Sequence, residues 1–413
     1  MARSLSTRSA TALYVGAVLG PGVLLIPSLA AEAAGPASIV AWVSLLALSI
    51  PLALTFAALG VRFPEAGGTA AYARAAFGRR TGAMTGWWFL AGVVIGAPAV
   101  ALIGGNYVAD LLGAGQTGAV IGAATMIGVV VAANVAGVHT TAKLQLVLAG
   151  VLAALLVVAV VSALPESRDE NWTPFAPHGW AAVGTAASLL MFSFIGWEAV
   201  SHLAGELRDP QRQLPRAIFA ALGVVVVLYL GLAVATIGVL GSGKPSSVPL
   251  AELMEAGLGA PGRTATAVLA VLLTIGTMNA YVAAAVQLSG ALAREGSSAP
   301  RLGRPPVALA ALAGISAVLL GLLAADVLGT EDLIHASGAA FVAVYVSATA
   351  AGAKLLAGGA RVASSVAFAA VVVVFAFAGA FVAVPVAIGA TVLVATRRRG
   401  AVAAPAPCPA PST

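Results

Sequence analysis

Two short stretches carry the residue types best able to do chemistry. Gly16 to Pro27 reads GAVLGPGVLLIP, with Gly20, Pro21 and Gly22 central in an apolar run, and Ser193 to Glu198 reads SFIGWE, with Gly196 close to an acidic side chain. Proline lacks an amide hydrogen and glycine costs about 1 kcal/mol relative to alanine inside a helix, so a helix through Gly20–Gly22 is expected to break. Amides freed at the start of the following helical piece favour a carboxylate or phosphate. A proline kink, or close helix packing through glycine, accounts for the segment equally well at this stage. Glu198 in an apolar run costs several kcal/mol unless it is paired, hydrated or neutralised. It is therefore a candidate for binding and releasing a proton, or for bracing a broken helix, against the alternative of a structural carboxylate bonded between helices. His202, one turn on, is spaced to share that proton, although a lone histidine more often only packs.

The elements that must position these residues are set by composition. Of 413 residues, 60% are hydrophobic and 9% charged, against about 45–50% and about 25% in soluble domains. Roughly 20 helical residues cross a hydrocarbon layer about 30 Å thick. Apolar runs near residues 11–34, 38–61, 84–112, 117–137, 143–163, 180–204, 215–241, 265–292, 306–325 and 332–355 predict ten membrane helices, and residues 362–396 split near Gly379 into two more. The chain thus reads as an all-α membrane protein of about twelve transmembrane helices, one domain over 1–399, with lipid as its main surroundings. Residues 400–413 form an Ala/Pro-rich tail expected to be disordered and cytoplasmic.

Arg3 and Arg8 ahead of an apolar stretch imitate a secretory leader, but the Gly, Pro and further spans that follow argue against cleavage. The single cysteine, Cys408, excludes a disulfide framework or a cysteine metal cluster within the chain, and no metal or cofactor is expected. The net charge of +6 invites a nucleic-acid reading that the charge positions oppose. With a cytoplasmic N-terminus, 18 of the 21 Lys and Arg residues fall in cytoplasmic loops, and only Arg168, Lys244 and Arg263 lie opposite. This is the positive-inside pattern, so the basic residues mark topology and meet anionic headgroups. Both termini are expected in the cytoplasm.

The two irregular segments fall in spans one and six. That spacing is expected of two five-helix repeats of inverted topology, about 11–163 and 180–355, with a solute site at the shared midplane and the helices of 362–396 outside it. Broken backbone there offers amide hydrogens to a negative group and carbonyl oxygens to a positive one, which suits the zwitterionic head of an amino acid. Further polar groups within spans are Thr274, Thr277 and Asn279 in the eighth and Ser337 in the tenth, each of which more often bonds its own helix. Trp197, Phe192 and Tyr281 are candidates for the pocket border.

Four stretches together resemble the amino acid–polyamine–organocation superfamily of transporters. They are the GPG of Gly20–Gly22, FPEAGGTAAYARAAFG from Phe63 to Gly78, FSFIGWEAVSHLAGELRDPQRQLPRA from Phe192 to Ala217, and LAREGSSAPRLGRPP from Leu292 to Pro306. Within it, Gly196-Trp197-Glu198 followed by His202 is similar to bacterial exporters of methionine and branched-chain amino acids. The resemblance implies a LeuT-like five-plus-five inverted-repeat bundle in the bacterial inner membrane, with two extra C-terminal helices. It implies a substrate carboxylate at Gly20, Pro21 and Gly22, an ammonium facing carbonyls near Ala17 and Phe194 or Ile195, and a side chain in an apolar subsite beside Gly196 and Trp197. It ties Glu198 to gating and proton coupling, and makes Phe63–Gly78 a partly helical cytoplasmic loop that seals the inner mouth. Some proton-coupled relatives carry a lysine midway along the fifth span; here Lys143 stands at the span's end, so sodium on carbonyl and Ser/Thr oxygens stays open beside the proton.

The expected function is secondary transport of a neutral amino acid, outward in exchange for protons, with proton-coupled uptake as the close rival. No Gly-rich loop ending in Lys-Ser/Thr is present for ATP-driven pumping. A channel would need a continuous polar lining, and a membrane sensor an output domain. An enzyme would have only Glu198 and His202 as acid and base, with no nucleophile beside them.

Overall fold

A computed structural model describes residues 7–63, 68–137, 142–198, 210–243 and 246–400. His202, the tail from residue 401 and part of the Phe63–Gly78 loop lie outside the described residues. All regular elements among the described residues are helical. This is the expected response to a solvent without hydrogen bonds, because a helix satisfies its own backbone. Among the described residues, nine helices are long and apolar enough to cross a membrane, and Ala181–Phe194 and Gly379–Val394 are shorter apolar ones.

In chain order the helices are α1 (Thr7–Val18), α2 (Ile26–Ala34), α3 (Ser38–Arg62), α4 (Gly68–Phe77), α5 (Arg79–Leu112), α6 (Gly115–Val135), α7 (Ala142–Ala163) and α8 (Ala181–Leu190). There follow α9 (Pro210–Ala235), α10 (Pro249–Leu258), α11 (Ala260–Arg294), α12 (Pro305–Ala324), α13 (Thr330–Leu355), α14 (Gly358–Ala376) and α15 (Ala383–Gly400). The long apolar stretch near the C-terminus divides at the 3-10 turn Gly379–Val382, where Gly379 has φ +57°, a conformation that glycine adopts without steric cost.

Helices in lipid gain little from burying leucine against leucine, so close approach and interhelical hydrogen bonds hold them together. Where α5 meets α6, a Cβ at Gly105 would overlap the Ala119 carbonyl oxygen, and one at Gly122 would lie 3.3 Å from Gly105 Cα. Large apolar side chains such as Val129, Val161, Val227 and Val318 face outward, as a lipid-facing surface requires.

Two sets of polar contacts define the ends of the bundle. At the end where α1 begins, Arg62 donates to Leu355 O, Lys354 Nζ donates to Ala76 O at 2.7 Å, and Arg74 pairs with Glu295. Arg79 donates to the backbone oxygen of the same Glu295, which ties α4 and the start of α5 to the end of α11. At the far end, Arg263 of α11 donates through Nε to Asp110 of α5 at 2.8 Å and pairs with Glu255 of α10. The segment between α7 and α8 closes over this end, with Ala37 N donating to Phe175 O at 2.8 Å and Asn171 Nδ2 to Gly238 O at 2.7 Å.

Candidate functional site

Both segments that the sequence marks as irregular leave the α-helix. α1 stops at Val18, Gly20 is extended (φ −96°, ψ 176°), and the chain makes a 3-10 turn at Pro21–Leu24 before α2 resumes at Ile26. α8 stops at Leu190, passes through the 3-10 turn Met191–Phe194, and is extended at Ile195 before the turn that holds Glu198. The two breaks touch. Gly196 has φ +134° and lies so close to α1 that a Cβ on it would overlap the Ala17 carbonyl oxygen. A Cβ on Gly22 would sit 2.9 Å from Ser193 Oγ, itself buried without a hydrogen-bond partner among the described residues.

Backbone groups freed by a helix break must find other partners in an apolar interior. Three fully buried tyrosines supply them, each from an unbroken helix. Tyr107 of α5 donates to Leu24 O at 2.7 Å, and its oxygen accepts Leu250 N at 3.3 Å. Tyr229 of α9 places its hydroxyl 2.9 Å from both Val18 O and Ser193 O. Tyr345 of α13 accepts Gly196 N at 3.1 Å and donates to the Glu198 carboxylate, which also accepts Gly196 N at 2.9 Å. Glu198, 8% exposed, thus stands where a helical carbonyl would have taken the Gly196 amide. These tyrosines escaped the sequence reading. Their signal was a lone phenol within an apolar helix, whose hydroxyl needs a partner when buried, but the partners lie 36 to 211 residues away.

A cavity of about 490 Å³ opens between the breaks, within the range of about 300–1,000 Å³ usual for small-molecule sites. Ala17, Gly20, Pro21 and Gly22 line it from the first break, and Phe192, Ile195, Gly196 and Glu198 from the second. Apart from Thr277 and Ser337, its remaining wall is apolar and aromatic. Phe341 of α13 meets Phe89 of α5 edge-on at 5.5 Å and Tyr281 of α11 at 6.2 Å. Phe341 has this room because Gly92 faces it: a Cβ there would lie 2.7 Å from the ring. Ser337, one turn earlier on α13, donates to Gly92 O at 2.8 Å and holds the two helices at that spacing.

Other expected site residues take different places. Thr277 lines the cavity. Thr274, one turn earlier on α11, is buried with its hydroxyl against Gly104 of α5, and Asn279 accepts a 2.6 Å hydrogen bond from Asn134 of α6. Phe194 packs between Trp42 and Tyr229, and the Trp197 indole donates to Ser49 of α3 at 3.1 Å. These two aromatic rings anchor the second break to the surrounding helices. Towards the end where α1 begins, the lining continues through Ala12, Leu13, Leu146 and Ala149. Towards the far end it stops near Val100, below the Tyr107–Leu24 contact and the Arg263 ion pairs.

The amino acid permease family model matches residues 5–402. The chain belongs to that family. Among relatives, an uncharacterized amino acid permease, YecA of Bacillus subtilis (strain 168), is 34% identical over 365 residues, covering 86% of this chain and 85% of that protein. The L-methionine/branched-chain amino acid exporter YjeH of Escherichia coli (strain K12) is 29% identical over 351 residues, 83% of each chain. The methylthioribose transporter of Bacillus subtilis (strain 168) is 28% identical, over 72% of this chain and 68% of its own. This permease is accordingly a multi-pass membrane transporter rather than an enzyme.

Proposed function

We propose that this permease exports a neutral amino acid with an apolar side chain, of the methionine and branched-chain kind, in exchange for protons and by alternating access. One observation carries the reading: two helix breaks, a buried carboxylate and an aromatic wall meet in one cavity. Backbone at the breaks suits an amino acid's charged head: Gly20, Pro21 and Gly22 at the carboxylate, carbonyls near Ala17, Phe194 and Ile195 at the ammonium. Phe89, Phe192, Tyr281 and Phe341 offer an apolar or thioether side chain its favourable contacts. A polyamine would want several carboxylates, and Glu198 is the acidic residue lining the cavity.

We read the core as two five-helix repeats, 11–163 and 180–355, with α14 and α15 outside it. The basic residues at the end where α1 begins support a cytoplasmic side for that end, at the inner membrane of a bacterium. The cavity lining then runs towards the cytoplasm and the far end is sealed, so this conformation faces inward. Glu198 carries the proton: charged, it binds the broken backbone of α8, and protonated it gives up part of that hold. The similarity to YjeH, an L-methionine/branched-chain amino acid exporter, supports the direction proposed here.

The test is counterflow of labelled methionine and leucine in proteoliposomes, with and without a pH gradient, for wild type and Glu198→Gln. Acceleration by the gradient in wild type alone supports antiport through Glu198. Counterflow of no neutral amino acid overturns the substrate, and acceleration only with the opposite gradient assigns uptake.

A further inference from the structure

Of the three tyrosines at the breaks, Tyr107 holds the first and Tyr345 the second, whereas Tyr229 reaches both. Val18 is the last residue of α1, and Ser193 lies in the turn that ends α8. Tyr229 Oη is 2.9 Å from each of their carbonyl oxygens. A phenol carries one hydrogen, so two buried acceptors share a single donor. The ring cannot swing aside to favour one of them. It meets Trp42 of α3 edge-on at 5.2 Å and 71°, and Phe194 at 5.3 Å and 87°. Ser193 Oγ, buried beside this contact, has no partner among the described residues, so the hydroxyl of Tyr229 is the side-chain donor at this junction.

We propose that Tyr229 is a positioning residue that couples the two helix breaks, so that α1 and the end of α8 rearrange together when the carrier changes face. The inference rests on the transport reading above and adds to it a specific linkage. Movement of α1 alone would pull Val18 O from the shared hydroxyl and leave it only the Gly20 amide, 2.8 Å away, and movement of α8 alone would take Ser193 O from its side-chain donor. Losing such a hydrogen bond is costly in a membrane. Joint movement keeps both near the donor. Tyr229 does not line the cavity, so its removal acts on alternation rather than on the ligand.

The variant is Tyr229→Phe, read in two ways. In proteoliposomes the maximal rate of labelled L-leucine counterflow per folded transporter should fall at least about tenfold, while the leucine dissociation constant in detergent stays within about twofold. An unchanged rate, or parallel loss of rate and affinity, overturns the coupling role. The second readout needs no substrate. Spin labels at exposed Arg8 on α1 and Arg80 on α5, introduced as cysteines in a Cys408→Ser background, should give one narrow distance in the parent. Tyr229→Phe should broaden it, and Tyr107→Phe, which releases Leu24 O of the first break and leaves the second untouched, should not. Equal distributions in parent and Tyr229→Phe, or equal broadening by both variants, overturn the proposal. Should Tyr229→Phe not assemble, Trp42→Phe keeps the hydroxyl, loosens its ring, and is judged on the same criteria. Absence of counterflow in wild type would overturn the substrate reading alone, because the spin-label result stands without it.

Discussion

Tyr345 and Glu198 are joined across the second helix break by a hydrogen bond, with the Gly196 amide bonded to both. The carboxylate therefore has two neighbours that answer to its protonation: a phenol that donates to it and an amide that would otherwise be orphaned. A protonated carboxyl keeps one acceptor oxygen and turns the other into a donor, so the three-way arrangement loosens as the proton binds.

Glu198→Gln keeps the shape and one acceptor oxygen but removes the titration. Leucine counterflow should persist within about threefold of wild type, while stimulation by a pH gradient disappears. Proteoliposome flux at matched and unmatched internal pH measures both.

Tyr345→Phe removes the donor and leaves the carboxylate. The Gly196 amide and the Glu198 carboxylate then lose a shared partner in an apolar interior, so leucine counterflow should fall about tenfold. Counterflow equal to wild type would show that Tyr345 does not hold the second break.

The glycines form a graded series. Gly196→Ala is strained by its positive φ and by overlap with Ala17 O, and such backbone strain costs about 1–3 kcal/mol before the clash is counted; it should abolish transport and lower the melting temperature. Gly22→Ala brings a Cβ to 2.9 Å from Ser193 Oγ and 3.2 Å from Ile26 Cδ1, which those side-chain ends must turn aside to relieve, and should retain partial activity. At Gly20 an added Cβ meets nothing within 4 Å, so Gly20→Ala should melt with wild type and show its effect in apparent affinity. Thermal melts and counterflow on one set of preparations compare all three.

Phe341 should set the size of side chain accepted. Phe341→Ala should weaken leucine about tenfold and admit phenylalanine, whereas Gly92→Ala, which pushes on the same ring from 2.7 Å, should disfavour leucine more than alanine. Competition of unlabelled amino acids against labelled leucine reads the selectivity directly.

The helical bundle was legible because lipid leaves few choices: long apolar runs become helices, and the Gly-Pro-Gly run and Glu198 stand out as costs with no local reason. The breaks fell where Gly20 and Gly196 placed them. What holds the breaks was not legible. Tyr107, Tyr229 and Tyr345 sit on helices that look uniformly apolar, and nothing in their neighbours along the chain says that a carbonyl will lie 2.7–2.9 Å from the first two hydroxyls, or the Glu198 carboxylate beside the third. The faces of α11 were equally hidden. Thr277 reaches the cavity while Asn279, two residues on, bonds to α6, a difference of helical rotation that spacing fixes only once the axis is placed.

The tyrosine clasps also decide what ligand arrival has left to do. Since phenol hydroxyls from α5, α9 and α13 already hold Leu24 O, Val18 O, Ser193 O and the Gly196 amide, these turns need no substrate to melt or to wind them. Binding should leave the far-ultraviolet circular dichroism unchanged, and its heat capacity change should reflect only the dehydration of a small apolar cavity, with no contribution from coupled folding.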